Sequence, residues 1–399
     1  MKKQIVTAKT TGDTMLIKKI NTAIVLECVL KHAPLSRADI SERTGLNKAT
    51  VSSLVQDLID SYLIVESGMG KSSGGRKPVM LLFNREAGHA VGIDLGVNYI
   101  RGVLTDLEGS IIEERLTSLT TVRAEEVLPV LEQLIAELIA CAPSSPYGIV
   151  GIGLGVPGIV DDSGTVLFAP NLKWDNLPLQ DQLANRFGLP VVIDNEANAG
   201  AQGEQRYGAG QGIANQIYVS VGIGIGTGII LNKSLYKGTS GFSGELGHLS
   251  IDFAGKLCSC GNRGCWELYA SEHALLEGAA RLGIHDLQSL VQAAAGGSDE
   301  AIGLFASIGE YLGIGIANII NSFNPDVVII GNRITMARPW IEASLRNTVE
   351  QRTLPFHRRD MQILFAELGE QSAVRGAAYD AINRFFTLVK SGESSVVTE

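Results

Sequence analysis

A-V-G-I-D-L-G-V-N-Y-I-R-G-V-L-T-D-L-E-G-S-I-I, residues Ala90–Ile112, runs as an apolar strand, a glycine-bearing turn, a second apolar strand and a polar turn. The same order returns in Q-I-Y-V-S-V-G-I-G-I-G-T-G-I-I-L-N-K-S-L-Y-K-G, residues Gln216–Gly238. After a gap, each copy is followed by a helical pattern and a further apolar strand. Behind the first copy these are Glu125–Ala142 and Ile149–Gly155; behind the second they are Leu304–Phe323 and Val327–Ile330. A repeated hairpin and βαβ unit predicts two α/β lobes with a cleft between them.

Three segments between the copies carry the polar groups such a cleft needs. They are G-L-G-V-P-G (Gly153–Gly158), A-P-N-L-K-W (Ala169–Trp174) and V-V-I-D-N-E-A-N-A-G-A (Val191–Ala201). Gly155, Pro157 and Gly158 predict a rigid turn whose amides approach a ligand. Asn171, Asn195 and Glu196 stand at expected strand mouths, where open α/β sheets bind ligands. Clustered Asn, Glu and His suit a polyhydroxylated ligand, since each buried hydroxyl needs a donor or acceptor. Helix capping is the competing role for Asn195 and Asn198.

Residues Gly244–Ser271 read G-E-L-G-H-L-S-I-D-F-A-G-K-L-C-S-C-G-N-R-G-C-W-E-L-Y-A-S. His248, Cys258, Cys260 and Cys265 fall within eighteen residues, bracketed by Glu245 and Glu267. One imidazole nitrogen and three thiolates are the donor set of a closed tetrahedral zinc site. Gly255, Gly261 and Gly264 let the loop turn tightly enough for the four to converge. Buried or oxidised thiols are the competing reading, but three of the chain's five cysteines lie here. Cys28 and Cys141 fall in apolar helical patterns and are expected in the core.

The first 85 residues differ from the rest in charge. They hold 13 Lys+Arg against 7 Asp+Glu, whereas the remainder holds 20 against 35 and the whole chain carries −9. A basic head on an acidic body points to a polyanion met by the head alone. Leu16–Lys31 has apolar residues at helical spacing, and Pro34 ends it. Ser36 with Asp39 three residues on forms a capping box for a short helix ending at Thr44, followed by a turn at Gly45. Asn47 caps a longer helix whose inner face is Val51, Leu54, Val55 and Leu58. Short helix, glycine turn and longer helix predict a helix-turn-helix with the second helix in the major groove of DNA. Arg37, Asn47, Lys48, Thr50, Ser52, Ser53 and Gln56 are the candidate DNA contacts. Two strands, Leu63–Glu66 and Val79–Phe83, flank G-M-G-K-S-S-G-G-R-K-P, a wing with Lys71, Arg76 and Lys77 at its tip as minor-groove or phosphate probes.

At 399 residues the chain has room for two or three domains. No stretch is expected to reach the apolar length of a membrane span, and the lysines near the start precede no apolar run, so no signal peptide is expected. Unpaired or metal-bound cysteines fit a reducing cytoplasm. The tail Ser391–Glu399 is polar and expected to be disordered.

Taken together, the winged head with G-G-R-K-P and the E-x-G-H…C-x-C-G-x-x-G-C-x-E stretch resemble the ROK family of bacterial sugar-responsive repressors and sugar kinases. The resemblance covers almost the whole chain and, within the repressor branch, is greatest to the xylose repressors. It implies an α/β fold in which a winged helix-turn-helix (1–85) precedes a two-lobed actin-like, sugar-kinase-like domain (86–390) carrying the zinc loop (244–271). It also implies that Gly155, Gly158, Asn195, Glu196, Glu245, His248 and Glu267 face the sugar, His248 serving metal and sugar through its two nitrogens.

Several positions depart from the kinase pattern. The phosphate turn D-x-G-G-T of the kinases is here Asp94-Leu95-Gly96-Val97-Asn98; Ile223 stands for a Thr, Gly331-Asn332 for a Gly-Gly pair, and Glu196 for the catalytic Asp. Each change adds a side chain or removes a donor where phosphate would approach, and one extra methylene displaces a base by about 1 Å, which alone costs about 100-fold. The expectation is therefore not an enzyme but a cytoplasmic repressor. As a homodimer it would hold a palindromic operator and leave it when a monosaccharide, expected to be D-xylose, enters the cleft. The competing readings are a sugar kinase with an accessory head, a repressor answering to glucose or N-acetylglucosamine, and one controlled by a protein partner.

Overall fold

The computed structural model describes residues 14–69, 77–359 and 361–391. The head comprises α1 (Thr14–His32), a two-residue strand β1 (Leu35–Ser36), α2 (Arg37–Thr44), α3 (Lys48–Asp60), β2 (Ile64–Met69) and β3 (Val79–Phe83). The Ser36 hydroxyl accepts the Asp39 amide, and the Asp39 carboxylate accepts the Ser36 amide at 2.8 Å, closing the capping box. Gly45 takes φ 71°, a left-handed conformation that favours glycine and turns the chain toward α3. β2 and β3 pair antiparallel as the wing, and β1 adds a third strand on the other edge of β3, which the sequence reading did not contain. Two residues are too few for alternation to register. The wing tip, with Lys71 and Arg76, lies outside the described residues.

The repeated units form two matching five-stranded sheets. In the first lobe β4 (His89–Leu95), β5 (Tyr99–Asp106), β6 (Ile111–Ser118), α4 (Ala124–Ala140) and β7 (Ile149–Val156) lead to a small antiparallel sheet of β8 (Ile159–Val160), β9 (Val166–Ala169) and β10 (Trp174–Leu177). Then come α5 (Leu179–Phe187), β11 (Val191–Asn195) and α6 (Glu196–Tyr207), and the main sheet has the order β11-β7-β4-β5-β6. In the second lobe β12 (Gln216–Val221), β13 (Ile225–Leu231) and β14 (Ser234–Leu235) are followed by α7 (Glu267–Ala270), α8 (Glu272–Ala279), α9 (Leu287–Ala295) and α10 (Asp299–Phe323). β15 (Val327–Gly331), α11 (Arg338–Arg352), β16 (Gln362–Phe365) and α12 (Ser372–Ser391) complete the chain, and the sheet order is β14-β13-β12-β15-β16. β4–β7 and β12–β15 are parallel, and β12 and β15 are buried throughout, as the apolar runs require.

Three expectations need correction. α10, at 25 residues, is by length and composition apolar enough to cross a membrane. Half of its apolar window is buried, because Phe305, Ile308, Leu312, Ile316 and Ile319 fill the second lobe's core. Gly309 and Gly313 let α11 approach it closely: a Cβ on Gly309 would sit 2.5 Å from the Ile341 carbonyl. Cys141 is exposed, since α4 stops at Ala140 and turns the thiol outward, whereas Cys28 is buried as expected. Ser391 is the last residue of α12, and the rest of the expected disordered tail lies outside the described residues.

The head is not a tethered bead. Its core of Val25, Val29, Ile40, Val51 and Leu81 continues into Ile382, Phe385 and Phe386 of α12. Phe83 packs on Phe386 at 5.6 Å between ring centres, and Tyr147 of the first lobe meets Phe385 edge-on at 5.1 Å. The Tyr147 hydroxyl also donates to the Ser61 carbonyl at the end of α3, at 2.8 Å.

Candidate ligand cleft and metal centre

Both hairpin turns open onto one cavity of about 220 Å³ between the lobes. Of the eight candidate ligand residues, Gly158, Asn171, Asn195, Glu196, Glu245, His248 and Glu267 line it. Gly155 does not: a Cβ there would lie 3.3 Å from the Glu196 Cα, so this glycine lets the end of β7 pack against the first turn of α6. Gly158 has φ 111°, and a Cβ on it would stand 2.4 Å from the Phe168 carbonyl. Asn195 caps α6, its Oδ1 accepting the Ala197 amide at 2.8 Å while its Nδ2 donates to the Gly158 carbonyl at 2.9 Å. Asn198 is buried and donates instead to Asp194 Oδ1 at 2.9 Å, and Asp194 reaches Lys237 of the second lobe at 2.8 Å.

The turns themselves hold residues that the sequence reading had not assigned to the site. Tyr99 lies against Gly96 so closely that a Cβ there would sit 2.2 Å from its ring, and its hydroxyl donates to Asp94 Oδ2 at 2.8 Å. On the opposite turn the Asn332 amide donates to Ser220 Oγ at 3.0 Å and stands 3.1 Å from where a Cβ of Gly222 would be. Asn332 itself has φ 70° and ψ −164°, a backbone region otherwise occupied almost only by glycine and therefore strained. Glu272 pairs with Arg333 at 3.3 Å on the same side of the cavity. The Gly331-Asn332 departure was the only sequence signal for this group. Tyr99 and Glu272 come from separate elements and meet only in the fold.

The four candidate metal ligands converge: one donor atom from each of His248, Cys258, Cys260 and Cys265 lies within 4.8 Å of the others. Cys260 and Cys265 Sγ are 3.7 Å apart, and Cys258 Sγ is 3.6 Å from His248 Nδ1. A tetrahedron with Zn–S of about 2.3 Å and Zn–N of about 2.0 Å has donor–donor edges of roughly 3.5–3.8 Å, so these two edges fit zinc, and the Cys260–Cys265 separation is too wide for a disulfide. Gly264 makes the convergence possible, with φ 69° and the Asp252 carbonyl where any Cβ would be. His248 turns Nδ1 to the thiols and Nε2 toward Glu245, 4.0 Å from its Oε2. Glu267 Oε1 stands 3.2 Å from Cys258 Sγ and 3.4 Å from His248 Nδ1, so this carboxylate borders cluster and cavity together.

The candidate DNA contacts are arranged along α3 and its entry. Asn47 caps the helix by accepting the Thr50 amide at 2.8 Å; Lys48, Ser52, Ser53 and Gln56 are exposed and Thr50 is half-buried. Arg37 opens α2 and pairs with Glu66 of the wing at 3.1 Å. Lys77 is exposed beside β3, and Arg76 lies outside the described residues.

The cavity is acidic. Asp94, Glu196, Glu245, Glu267 and Glu272 line it against Arg333 and His248. Burial, with Asp94 and Glu245 nearby, pushes the Glu196 carboxyl up to about 8, and its Oε2 has no hydrogen-bond partner among the described residues. Burial also raises Asp94 to about 6 against the Tyr99 hydrogen bond, and raises Glu272 despite Arg333. A carboxyl raised by folding binds its proton more tightly in the native state. Its stabilising contribution is therefore full below the unfolded value near 4.5 and is lost as pH rises toward about 8. Glu196→Gln should accordingly be more stable than the parent at pH 9 and gain little at pH 5 in denaturant titrations. An equal difference at both pH values would refute a buried, protonated Glu196.

The model of the ROK family matches residues 90–384, and that of the IclR helix-turn-helix domain matches residues 21–65. The chain is 45% identical over 383 residues to the xylose repressor of Bacillus spizizenii, covering 95% of this chain and 99% of that protein. Among solved structures, a ROK family transcriptional regulator described as a homolog of E. coli MLC protein superposes with a TM-score of 0.80 at 30% identity, covering 95% of this chain and all of that one. A ROK family glucokinase from Streptomyces griseus, in complex with glucose and AMPPNP, gives a TM-score of 0.66 at 33% identity over 73% of this chain and 98% of its own. With a repeated two-lobed body matched across residues 90–384 and a helix-turn-helix head before it, the chain belongs to the ROK family.

Proposed function

We propose that the chain is a transcriptional repressor of xylose-utilisation genes that leaves a palindromic operator when D-xylose binds the inter-lobe cleft. The observation that carries this reading is that the likeness to a protein named xylose repressor spans head and cleft together, at 45% identity over 95% of the chain. In this reading the protein is a cytoplasmic homodimer, and the exposed face of α3 enters the major groove while the wing and Arg37 meet phosphates. Asn171, Asn195, Glu196, Glu245, His248 and Glu267 hold the sugar hydroxyls, with the Gly158 turn beneath it. Zinc on His248, Cys258, Cys260 and Cys265 is a structural ion. With every position filled by these four residues, a bound ion would carry no reactive water, and the cluster would hold His248 and the neighbouring Glu267 in orientation.

Release follows from a difference in affinity. Sugar bridges residues of both lobes, so it favours the closed arrangement; a preference of 1–3 kcal/mol weakens the operator by about 5–150-fold. Glu196 begins α6, α6 packs along α12, and the far end of α12 lies in the head's core, so lobe movement reaches the DNA-binding surface through two helices. The kinase reading draws on the fold shared with the glucokinase. Tyr99 over the first turn, Asn332 over the second and five carboxylates against one arginine all disfavour a triphosphate there.

A gel-shift assay on DNA from upstream of the chain's own gene tests the reading. The chain should retard a palindromic fragment, and D-xylose should release it at lower concentration than glucose or N-acetylglucosamine. No retardation, or release by N-acetylglucosamine alone, would sink it, and sustained ADP release with xylose and ATP would favour the kinase. We further propose that Glu196 fills the space that the hydroxymethyl group of a hexose would need; by calorimetry, Glu196→Asp should then lower the xylose-to-glucose affinity ratio about tenfold, the low end of what one methylene discriminates in a packed site, and an unchanged ratio removes that steric role. Cys258→Ser should lower the thermal midpoint and raise the xylose needed for half-release together. A variant that is destabilised yet responds to xylose as the parent does would separate the metal loop from the cleft.

A further inference from the structure

The first half of α1 carries apolar side chains that nothing in the described residues covers. Leu16, Ile17, Ile20 and Ile24 are 55%, 50%, 51% and 40% exposed, although the later half of the same helix buries Val25, Leu26 and Val29 completely. Leu16, Ile20 and Ile24 repeat every four residues and form one stripe, with Ile17 alongside. A stripe of this kind on a surface helix marks a contact.

We propose that this stripe is a seam between the heads of two copies of the chain, with α1 packed antiparallel on α1 about a two-fold axis at Ile20. This rests on the reading of the chain as a dimeric operator-binding repressor. Spacing makes the stripe self-complementary: with Ile20 on the axis, Leu16 of one copy faces Ile24 of the other, twice, as an isologous contact demands. A shallow groove of about 310 Å³ runs beside Ile24, between Cys28, Lys31 and Thr44, and gives the opposing leucine a place to enter. Two lysines of α1 are already neutralised within one chain, Lys18 on Asp57 at 2.8 Å and Lys31 on Glu27 at 2.6 Å, so a second copy brings no unpaired lysine from these positions into the seam. Residues 1–13, the other possible cover, offer only Met1, Ile5 and Val6 as apolar residues larger than alanine, among Lys2, Lys3 and Lys9.

The seam also leaves the DNA-binding face free. Asp57, held by Lys18 on the side of α1 away from the stripe, places the start of α1 beside the last turns of α3 next to Gln56, whereas the other candidate contacts of α3, from Asn47 to Ser53, occupy its first turns. Four half-exposed aliphatic side chains fall short of the roughly 800 Å² per partner of a free-standing interface, so the seam aligns heads that the bodies have already brought together.

The test uses the full-length chain with exposed Cys141 replaced by Ser. Ile20→Cys in that background should give a covalent dimer with a short bis-maleimide, while the background alone and Leu282→Cys should not. Ile17→Glu with Ile20→Glu should weaken binding to the full palindrome about tenfold or more, by setting charges against each other in an apolar contact, with an unchanged thermal midpoint. The seam is overturned if the parent sediments as a dimer and binds operator but Ile20→Cys stays uncrosslinked, or if the double variant binds as the parent does. Cross-linking gained only after deletion of residues 2–13 would show that the chain's own start covers the stripe, and would overturn it equally. A parent that binds no operator, or sediments as a monomer, would fail the dimeric repressor reading itself and the seam with it.

Discussion

The rest of the structure depends on the backbone contact between α6 and α12. A Cβ on Gly376 would lie 1.7 Å from the Ala199 carbonyl, and one on Gly203 would lie 2.1 Å from the Ser372 carbonyl, so the two helices touch main chain to main chain. On its other side α12 rests on glycines of the first sheet: a Cβ on Gly153 would meet the Ala377 carbonyl at 1.8 Å, and one on Gly92 the Val374 carbonyl at 2.4 Å. α6 in turn lies on the second sheet, where a Cβ on Gly228 would stand 2.4 Å from the Ala197 carbonyl. The helix pair is thus the shared floor of both lobes. Close packing of this kind resists gradual deformation, so the lobes are expected to move as bodies about it. Its free ends are the two places that matter, Glu196 in the cleft and Phe386 in the head.

Cleft chemistry follows from what fills the turns. In the hairpins of this fold, bare glycine amides can receive an anion. Here the space above Gly96 belongs to Tyr99 and that beside Gly222 to Asn332, each hydrogen-bonded in place. What remains is lined by carboxyls, of which Glu196, raised by burial to about 8, holds its proton near neutrality. Such a surface suits neutral hydroxyls, to which a carboxyl can donate or accept, and repels phosphate. The same buried carboxyls carry a cost in stability that a bound ligand with hydrogen bonds to offer would offset.

The cysteine loop links this surface to a rigid centre. His248 presents one nitrogen to the thiols and the other toward Glu245, and Glu267 borders both cluster and cavity. Three donors come from a loop with little regular structure, held by Gly261 and Gly264 in left-handed conformations and by the Ile251 amide on the Gly264 carbonyl at 2.8 Å. A metal ion held there would replace the hydrophobic core that so short a loop lacks. Trp266, fully buried between loop and α10, with its indole donating to the Tyr311 carbonyl at 2.8 Å, anchors the loop to the second lobe.

Much of this was legible in the residues because it is set by local chemistry. The capping box of Ser36 and Asp39, the Gly45 turn, the Asn47 cap, the two hairpins and the His-Cys-Cys-Cys spacing depend on neighbours within a few positions, and each stands where its pattern placed it. Ile17, Ile20 and Ile24 share the helical periodicity of the buried Val25 and Val29, yet they are exposed; periodicity finds an apolar position and cannot say what covers it. Nor could spacing show that Asn195 rather than Asn198 caps α6, that Gly155 packs a helix instead of lining the cavity, or that Tyr99, Glu272 and Asn332 share the cleft. Those outcomes depend on pairs such as Gly203 with Gly376 and Phe83 with Phe386, far apart along the chain. Local patterns determined which elements form. Close packing between distant elements decided how the cleft, the cysteine loop and the head are joined, because contact distances of a few ångströms between remote segments exist only once the chain has folded.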